Sequence, residues 1–311
     1  MKIFVIVLII IVISLSAFWQ GKKLVDLHVY DSILAEKSFY FEKQNEWFQY
    51  HLDGKHRKVA FPNKFQAITA LNYDNEVIWI GTIEKSENSI FLAEYNPKNN
   101  DCTVLCSENA LEVQGLELST ITEFHFQPKT KNLSFLAGHD LYLYNRKEKK
   151  FDKIKSKISE TKSIFAKSMT WIDEETIVYI CLSDNELHEY NFVDKKDRCT
   201  DIWAVTINGY SIESKNLIYL TGDIDFFEIQ RSLLCSVDTD SWTINSIYKY
   251  YGNKEALGID DATKGMLYRD YDYSDEKRKL YFTQCEKWKY SKRLPLDLEQ
   301  VDNIVWPISS L

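Results

Sequence analysis

One pattern returns five times between residues 47 and 238: an apolar strand ends on a bulky residue, and a polar turn follows. The bulky anchors are Tyr50, Tyr95, Tyr144, Tyr190 and Val237, spaced 45, 49, 46 and 47 residues apart. Three copies share an aromatic-Asn ending: Phe91-Leu92-Ala93-Glu94-Tyr95-Asn96, Leu141-Tyr142-Leu143-Tyr144-Asn145 and Leu187-His188-Glu189-Tyr190-Asn191. A second signature, a polar turn leading into an apolar strand, recurs at residues 74–80, 130–136, 174–180, 214–220 and 277–283. A unit of this length cannot bury its own apolar face. Copies must stack on one another, and that requirement constrains the fold more than any single motif.

Several short strands per unit, at a period of about 40 to 50 residues, resemble the blade of a β-propeller. The resemblance implies an all-β fold of six four-stranded blades. A seventh blade stays open if a long connection hides a degenerate unit. Blade one is expected to begin with a strand over residues 24–30, and blade six to comprise 266–273, 279–284, 288–294 and 303–308. Neither the Trp-Asp dipeptides nor the double glycines of the common propeller families occur. The likeness is therefore one of architecture and carries no activity with it. Two connections exceed hairpin length, 107–120 and 248–265, and loops of that size are candidates for a binding rim.

Composition agrees with strands. Tyr (19), Phe (17) and Trp (8) are plentiful, whereas Gly (10) and Pro (5) are few; stacked blades use aromatics as packing, with no ligand required. A net charge of −8, with both signs interspersed, argues against nucleic acid as a partner. The basic runs at 147–150 and 195–198 follow Tyr-Asn anchors at similar offsets and read as equivalent hairpin turns.

Residues Ile3 to Trp19 form an almost unbroken apolar run of 17 residues, flanked by Lys2 and Lys22-Lys23. Such a run is three times the length of an ordinary strand and lies between a signal-peptide core and a minimal spanning helix. The chain is accordingly divided into a signal peptide or membrane anchor, an N-terminal hydrophobic helix over 1–23, and a single propeller domain over 24–311. The body is expected outside the cytoplasm, held at the cell membrane by that helix or secreted after cleavage near Ser14-Leu15-Ser16.

The six cysteines (102, 106, 181, 199, 235, 285) lack zinc-type spacing, and Cys102 and Cys106 are too far apart along one strand to bridge. Buried thiols are expected, with Cys102–Cys199 a conceivable long-range pair. The six histidines show no pair at metal spacing, so no metal and no cofactor are expected. Asn132-Leu133-Ser134 matches a glycosylation sequon, a match short enough to arise by chance. No nucleophile elbow, metalloprotease helix or phosphate loop is present. Among the carboxylates, Asp270 and Asp272 alternate along a strand and so share a face; with Asp223 they are the candidate acids of a carbohydrate-active hydrolase at the channel mouth. The leading expectation is non-enzymatic: an exported propeller that binds a protein or glycan partner. The hydrolase is the alternative.

Overall fold

The computed structural model describes residues 38–305, apart from 74–75, 87–88, 113–114, 160–166, 205, 212–216, 227–228, 252–254, 261–264, 273–276, 285–291, 298–300 and 302. The expected leader and the expected first strand at 24–30 lie outside the described residues.

The fold is all-β and consists of six four-stranded antiparallel sheets. Five are built from consecutive strands. Blade two holds β4 (Phe65–Tyr73), β5 (Glu76–Ser86), β6 (Ser89–Asn96) and β7 (Asp101–Ser107). Blade three holds β8 (Ile121–Phe126), β9 (Leu133–Ala137), β10 (Asp140–Asn145) and β11 (Lys150–Ser156). Blade four holds β12 (Met169–Trp171), β13 (Thr176–Ile180), β14 (Glu186–Asn191) and β15 (Lys196–Trp203). Blade five holds β16 (Thr206–Ser211), β17 (Leu217–Phe226), β18 (Ile229–Asp238) and β19 (Thr243–Tyr251). Blade six holds β20 (Glu255–Asp260), β21 (Gly265–Asp272), β22 (Lys277–Gln284) and β23 (Lys292–Asp297).

Blade one is composite. Its β1 (Ser38–Lys43), β2 (Glu46–His51) and β3 (His56–Lys58) are completed by β24 (Asn303–Val305), in the order β24-β1-β2-β3. Tyr40 lies opposite Val305, Phe41 opposite Ile304 and Glu42 opposite Asn303. The last strand thus occupies the inner position of the first blade and closes the ring.

The blades are glued by apolar clusters that span neighbouring sheets. Leu71, Ile78, Leu92 and Leu105 of blade two pack with Phe124, Phe126 and Phe135 of blade three. Met169, Trp171 and Tyr179 of blade four meet Leu136, Leu141 and Leu143 of blade three. At the seam, Phe39, Phe41, Tyr50 and Ile304 pack with Leu267, Leu280, Phe282 and Leu294. Polar cross-links add direction: Tyr144 Oη donates to Leu105 O, and the Arg146 guanidinium forms a bidentate pair with the Glu94 carboxylate of the preceding blade.

The sequence anchors are explained residue by residue. Tyr50, Tyr95, Tyr144, Tyr190 and Val237 all sit on third strands and are all buried. The Asn or Asp after four of them opens the hairpin to the fourth strand by accepting backbone amides. Asn145 Oδ1 accepts from Lys147 and Glu148, Asn191 Oδ1 from Val193 and Asp194, and Asp238 Oδ1 from Asp240 and Ser241. Four residues after each Asx the backbone turns left-handed, at Asn100, Lys149, Lys195 and Trp242. Of the two basic runs, 147–150 lies in such a turn up to Lys149, whereas 195–198 has only Lys195 in the turn and its remaining residues open β15.

Two expectations are corrected. The connection 248–265 contains β20, so residues 266–273 and 279–284 become the second and third strands of blade six, and 303–305 belongs to blade one. The signature at 277–283 accordingly lies on a third strand, whereas its four other copies lead into second strands. β20 has only six residues and a bulge at Ala256/Gly258 interrupts its alternation; β4, β8 and β16 break register in the same way at Ala67/Thr69, Thr122/Phe124 and Ile207/Gly209. Gly81 on β5 makes room for the bulge of β4, since a Cβ there would stand 2.2 Å from Gln66 O. The connection 107–120 is likewise not an open rim. Its helix α1 (Glu108–Glu112) and a 3-10 turn (Leu118–Thr120) press Leu111 and Leu116 into the cluster between blades two and three.

The seam gives a direct test. Ile304→Ala should cost about 2–4 kcal/mol by removing buried side-chain volume from the closing strand, whereas Ile244→Ala, on an exposed side chain, should cost under about 0.5 kcal/mol. Urea unfolding of both variants decides the matter; equal midpoints would mean that closure contributes little.

Candidate functional site

Antiparallel order within a blade sends the chain out along the inner strand, back along the second, out along the third and back along the fourth. One face of the ring therefore collects the starts of the inner strands, the fourth-to-first connections and the second-to-third hairpins. The Asx turns collect on the opposite face.

On the first face the hairpins have unequal height. In blade five β16 begins at Thr206, opposite Thr221, yet β17 continues through Gly222–Phe226. At about 3.3 Å per residue that overhang is roughly 16 Å. In blade two β4 begins with Phe65 opposite Ile83, and β5 continues to Ser86. In blade six β20 begins with Glu255 opposite Arg269, and β21 continues to Asp272. The hairpin of blade three, by contrast, turns at Gly138-His139 directly after β9. The face is high over blades two, five and six and low over blade three.

All three candidate acids lie on overhanging segments of this face. Asp223 is on β17, opposite Ser232. Asp270 and Asp272 are two apart on β21, as expected, opposite Lys279 and Lys277 of β22. Register thus brings the pair together on one strand, supplies each with a cross-strand lysine, and leaves Asp223 in the neighbouring sheet.

Sequence reasoning missed a fourth carboxylate on the same face. Glu123 is the bulged residue of β8, with φ of 49°, a conformation that non-glycine residues seldom adopt. The bulge points its side chain, only 9% exposed, across to the start of the inner strand of blade four. There Oε1 accepts from the backbone amides of Ser168 (2.9 Å) and Met169 (3.0 Å), and Oε2 accepts from Ser168 Oγ (2.6 Å). His125 Nε2 lies 3.1 Å from Oε1. Burial by itself would raise the Glu123 carboxyl, but the His125 imidazole and the Ser168 donors outweigh it and hold the group below the ordinary carboxylate value. Burial, helped by the Lys167 charge, pushes His125 below its ordinary value, and burial likewise lowers Lys167. A carboxylate whose lone pairs are occupied in this way is a clamp between blades three and four and not a general base in waiting. No local motif announces it, because its partners lie 45 and 46 residues away.

The cysteines and the sequon also find their places. None of the five described cysteines is in a disulfide. Cys181 and Cys235 are buried as expected, but Cys199 is exposed. Ser134 of the sequon is fully buried, accepts from Trp171 Nε1 at 2.8 Å and donates to His125 O, while the Asn132 amide donates to Gln127 Oε1. That asparagine is engaged in packing blade three.

Six four-stranded sheets closed by a composite blade define a β-propeller. The chain is similar in structure to TolB from Acinetobacter baumannii, with a TM-score of 0.56 at 10% identity over 86% of this chain and 64% of that one. It is also similar to a chain of a nidogen/laminin complex (TM-score 0.55, 8% identity, 86% of this chain and 97% of that one). A third likeness is to an oligogalacturonate lyase from Vibrio parahaemolyticus (0.50, 12%, 79% and 74%). At such identities the likeness is one of fold. No protein-family model and no curated protein matches the chain.

The clamp predicts a pH dependence with a definite sign. His125 is held neutral when folded, so stability should fall as pH drops below its ordinary value of 6.5. Glu123 is held ionised, so a further loss should follow as pH drops below 4.5 and through the lowered folded value. Glu123→Gln should cost roughly 2–3 kcal/mol at pH 7, by removing a charged acceptor from several buried donors, and should flatten the fall below pH 4.5. Urea titrations from pH 7 to 3.5 would sink the clamp if variant and parent show the same slope.

Proposed function

We propose that this propeller is a non-enzymatic binding module, exported and held at the cell membrane by its N-terminal apolar segment, that receives a protein or glycan partner on the face carrying the overhanging hairpins. The uneven height of that face carries the reading: the hairpins of blades five, six and two rise past the inner strands and form a rim against which a partner can seat. The overhanging strand segments include Asp223, Asp225, Asp270 and Asp272, an acidic composition that suits a partner presenting cations or hydrogen-bond donors.

The neighbours in fold supply precedents in two directions, one chain taken from a nidogen/laminin complex and one oligogalacturonate lyase. The site must therefore decide. A carbohydrate-active hydrolase remains the second reading, favoured by the placement of Asp223, Asp270 and Asp272 on one face. The lysines opposite Asp270 and Asp272 count against a bare pair of acids.

Binding of the full chain to glycan arrays and to extracytoplasmic protein extracts tests the proposal. Asp223→Lys with Asp270→Lys should weaken a captured ligand at least tenfold, whereas Lys98→Glu with Lys147→Glu, on the opposite face, should leave it unchanged. Equal loss from both faces would refute the face assignment. Release of sugar products that stops in Asp270→Asn and Asp272→Asn would favour the hydrolase. Protease added to intact cells should digest the body, and full protection would refute export.

A further inference from the structure

The hairpin between β13 and β14 of blade four gathers three chemically distinct donors that no sequence spacing advertised. Cys181 follows β13, Asp184 is in the turn and His188 is on β14, and one ligand atom from each lies within 4.8 Å of the others. His188 Nε2 is 3.3 Å from Asp184 Oδ2. Asp184 Oδ1 is committed to the turn, accepting from Glu186 N at 2.9 Å, which leaves Oδ2 for another ligand. The Ser183 hydroxyl bridges the set, 3.0 Å from Cys181 Sγ and 3.4 Å from Asp184 Oδ2.

We propose that Cys181 Sγ, Asp184 Oδ2 and His188 Nε2 form a binding site for a zinc-type divalent cation. One thiolate, one imidazole and one carboxylate are the mixed donor set that such a borderline-soft ion takes. Tetrahedral bonds of about 2.0–2.3 Å place ligand atoms roughly 3.3–3.6 Å apart. The His–Asp separation already meets that, and the sulfur lies within 4.8 Å of both. The thiol proton leaves as the metal–sulfur bond forms.

The surroundings carry the inference beyond a chance cluster. A metal on Nε2 requires the proton on Nδ1 and an acceptor behind it. His188 Nδ1 is buried without a hydrogen bond, and Asp197 Oδ1 stands 3.5 Å away. Asp197 is itself held by Tyr179 Oη, 3.1 Å from both carboxylate oxygens, and by Lys155 Nζ at 2.5 Å from the adjoining blade. This is the carboxylate–histidine–metal arrangement that fixes an imidazole for coordination. With three protein ligands, the fourth position falls to water or to Ser183 Oγ. The backbone frame is also built: Asn185 N donates to Cys181 O at 3.0 Å, Cys181 N donates to Glu186 O at 2.9 Å, and Leu182 N ties the turn to Lys157 O at 2.9 Å. A second set, Glu186, Cys199 and Asp201, lies in the same blade but is more exposed, and it serves as the internal control.

Titration of the chelator-treated full chain with cobalt(II), followed by competition with zinc(II), decides the matter. The expected result is one equivalent of cobalt bound with a thiolate-to-metal charge-transfer band. The band should vanish in Cys181→Ser, persist in Cys199→Ser, and require 10- to 100-fold more metal in Asp197→Asn, the cost usual for an outer-shell carboxylate. Thermal melts without metal show whether each variant is folded, and His188→Gln replaces Cys181→Ser should the latter fail. Absence of a thiolate band at stoichiometric cobalt overturns the site. So does a band that survives Cys181→Ser and is lost in Cys199→Ser.

Discussion

The ring depends on three residues. Asn303, Ile304 and Val305 are the only part of the last described strand that pairs with β1, yet they supply blade one with its inner strand and join the sixth blade to the first. Without them β1 would present an unpaired edge next to the channel, and the cluster of Phe39, Phe41, Leu267 and Phe282 would lose the buried Ile304. Every other inter-blade contact presupposes that closure, because stacked blades that do not meet leave two apolar faces in water.

Within the closed ring, cohesion between neighbours is mostly apolar, with a few polar cross-links that fix register. The Glu94–Arg146 pair joins blades two and three, and Glu123 with the amides of Ser168 and Met169 joins three and four. Removing one partner of such a buried link costs more than the link itself contributes, since the remaining group stays desolvated. Polar groups between blades thus select the correct neighbour geometry more than they add to net stability.

Most of each blade was legible in the amino-acid sequence; the inner strands of blades six and one, β20 and β24, were not. Third strands declare themselves because one residue packs the interface and the next caps a turn: Tyr144 and Asn145, or Tyr190 and Asn191. Both tasks restrict residue type locally. Inner strands answer to other constraints. β20 has six residues and is broken by a bulge, so Ala256-Leu257-Gly258-Ile259 reads as a loop, while β24 has three residues and nothing local marks 303–305 as a partner of 40–42. The same reason hid Glu123, whose role exists only once a bulge turns it toward a strand 45 residues later. The Cys181, Asp184 and His188 donors alternate between a strand end, a turn and the next strand, so they converge only after the hairpin folds.

The composite blade also has a mechanical consequence. Any tension carried by the residues before Ser38 enters the body through β1, which is flanked by hydrogen-bonded neighbours on both sides, β24 and β2. Tension from the residues after Val305 enters through β24, the immediate neighbour. Both ends of the described chain therefore load the same sheet. The seam that completes the ring is also the place where the molecule would begin to unzip under load, while blades two to five, each made of consecutive strands, would be shielded until it parts.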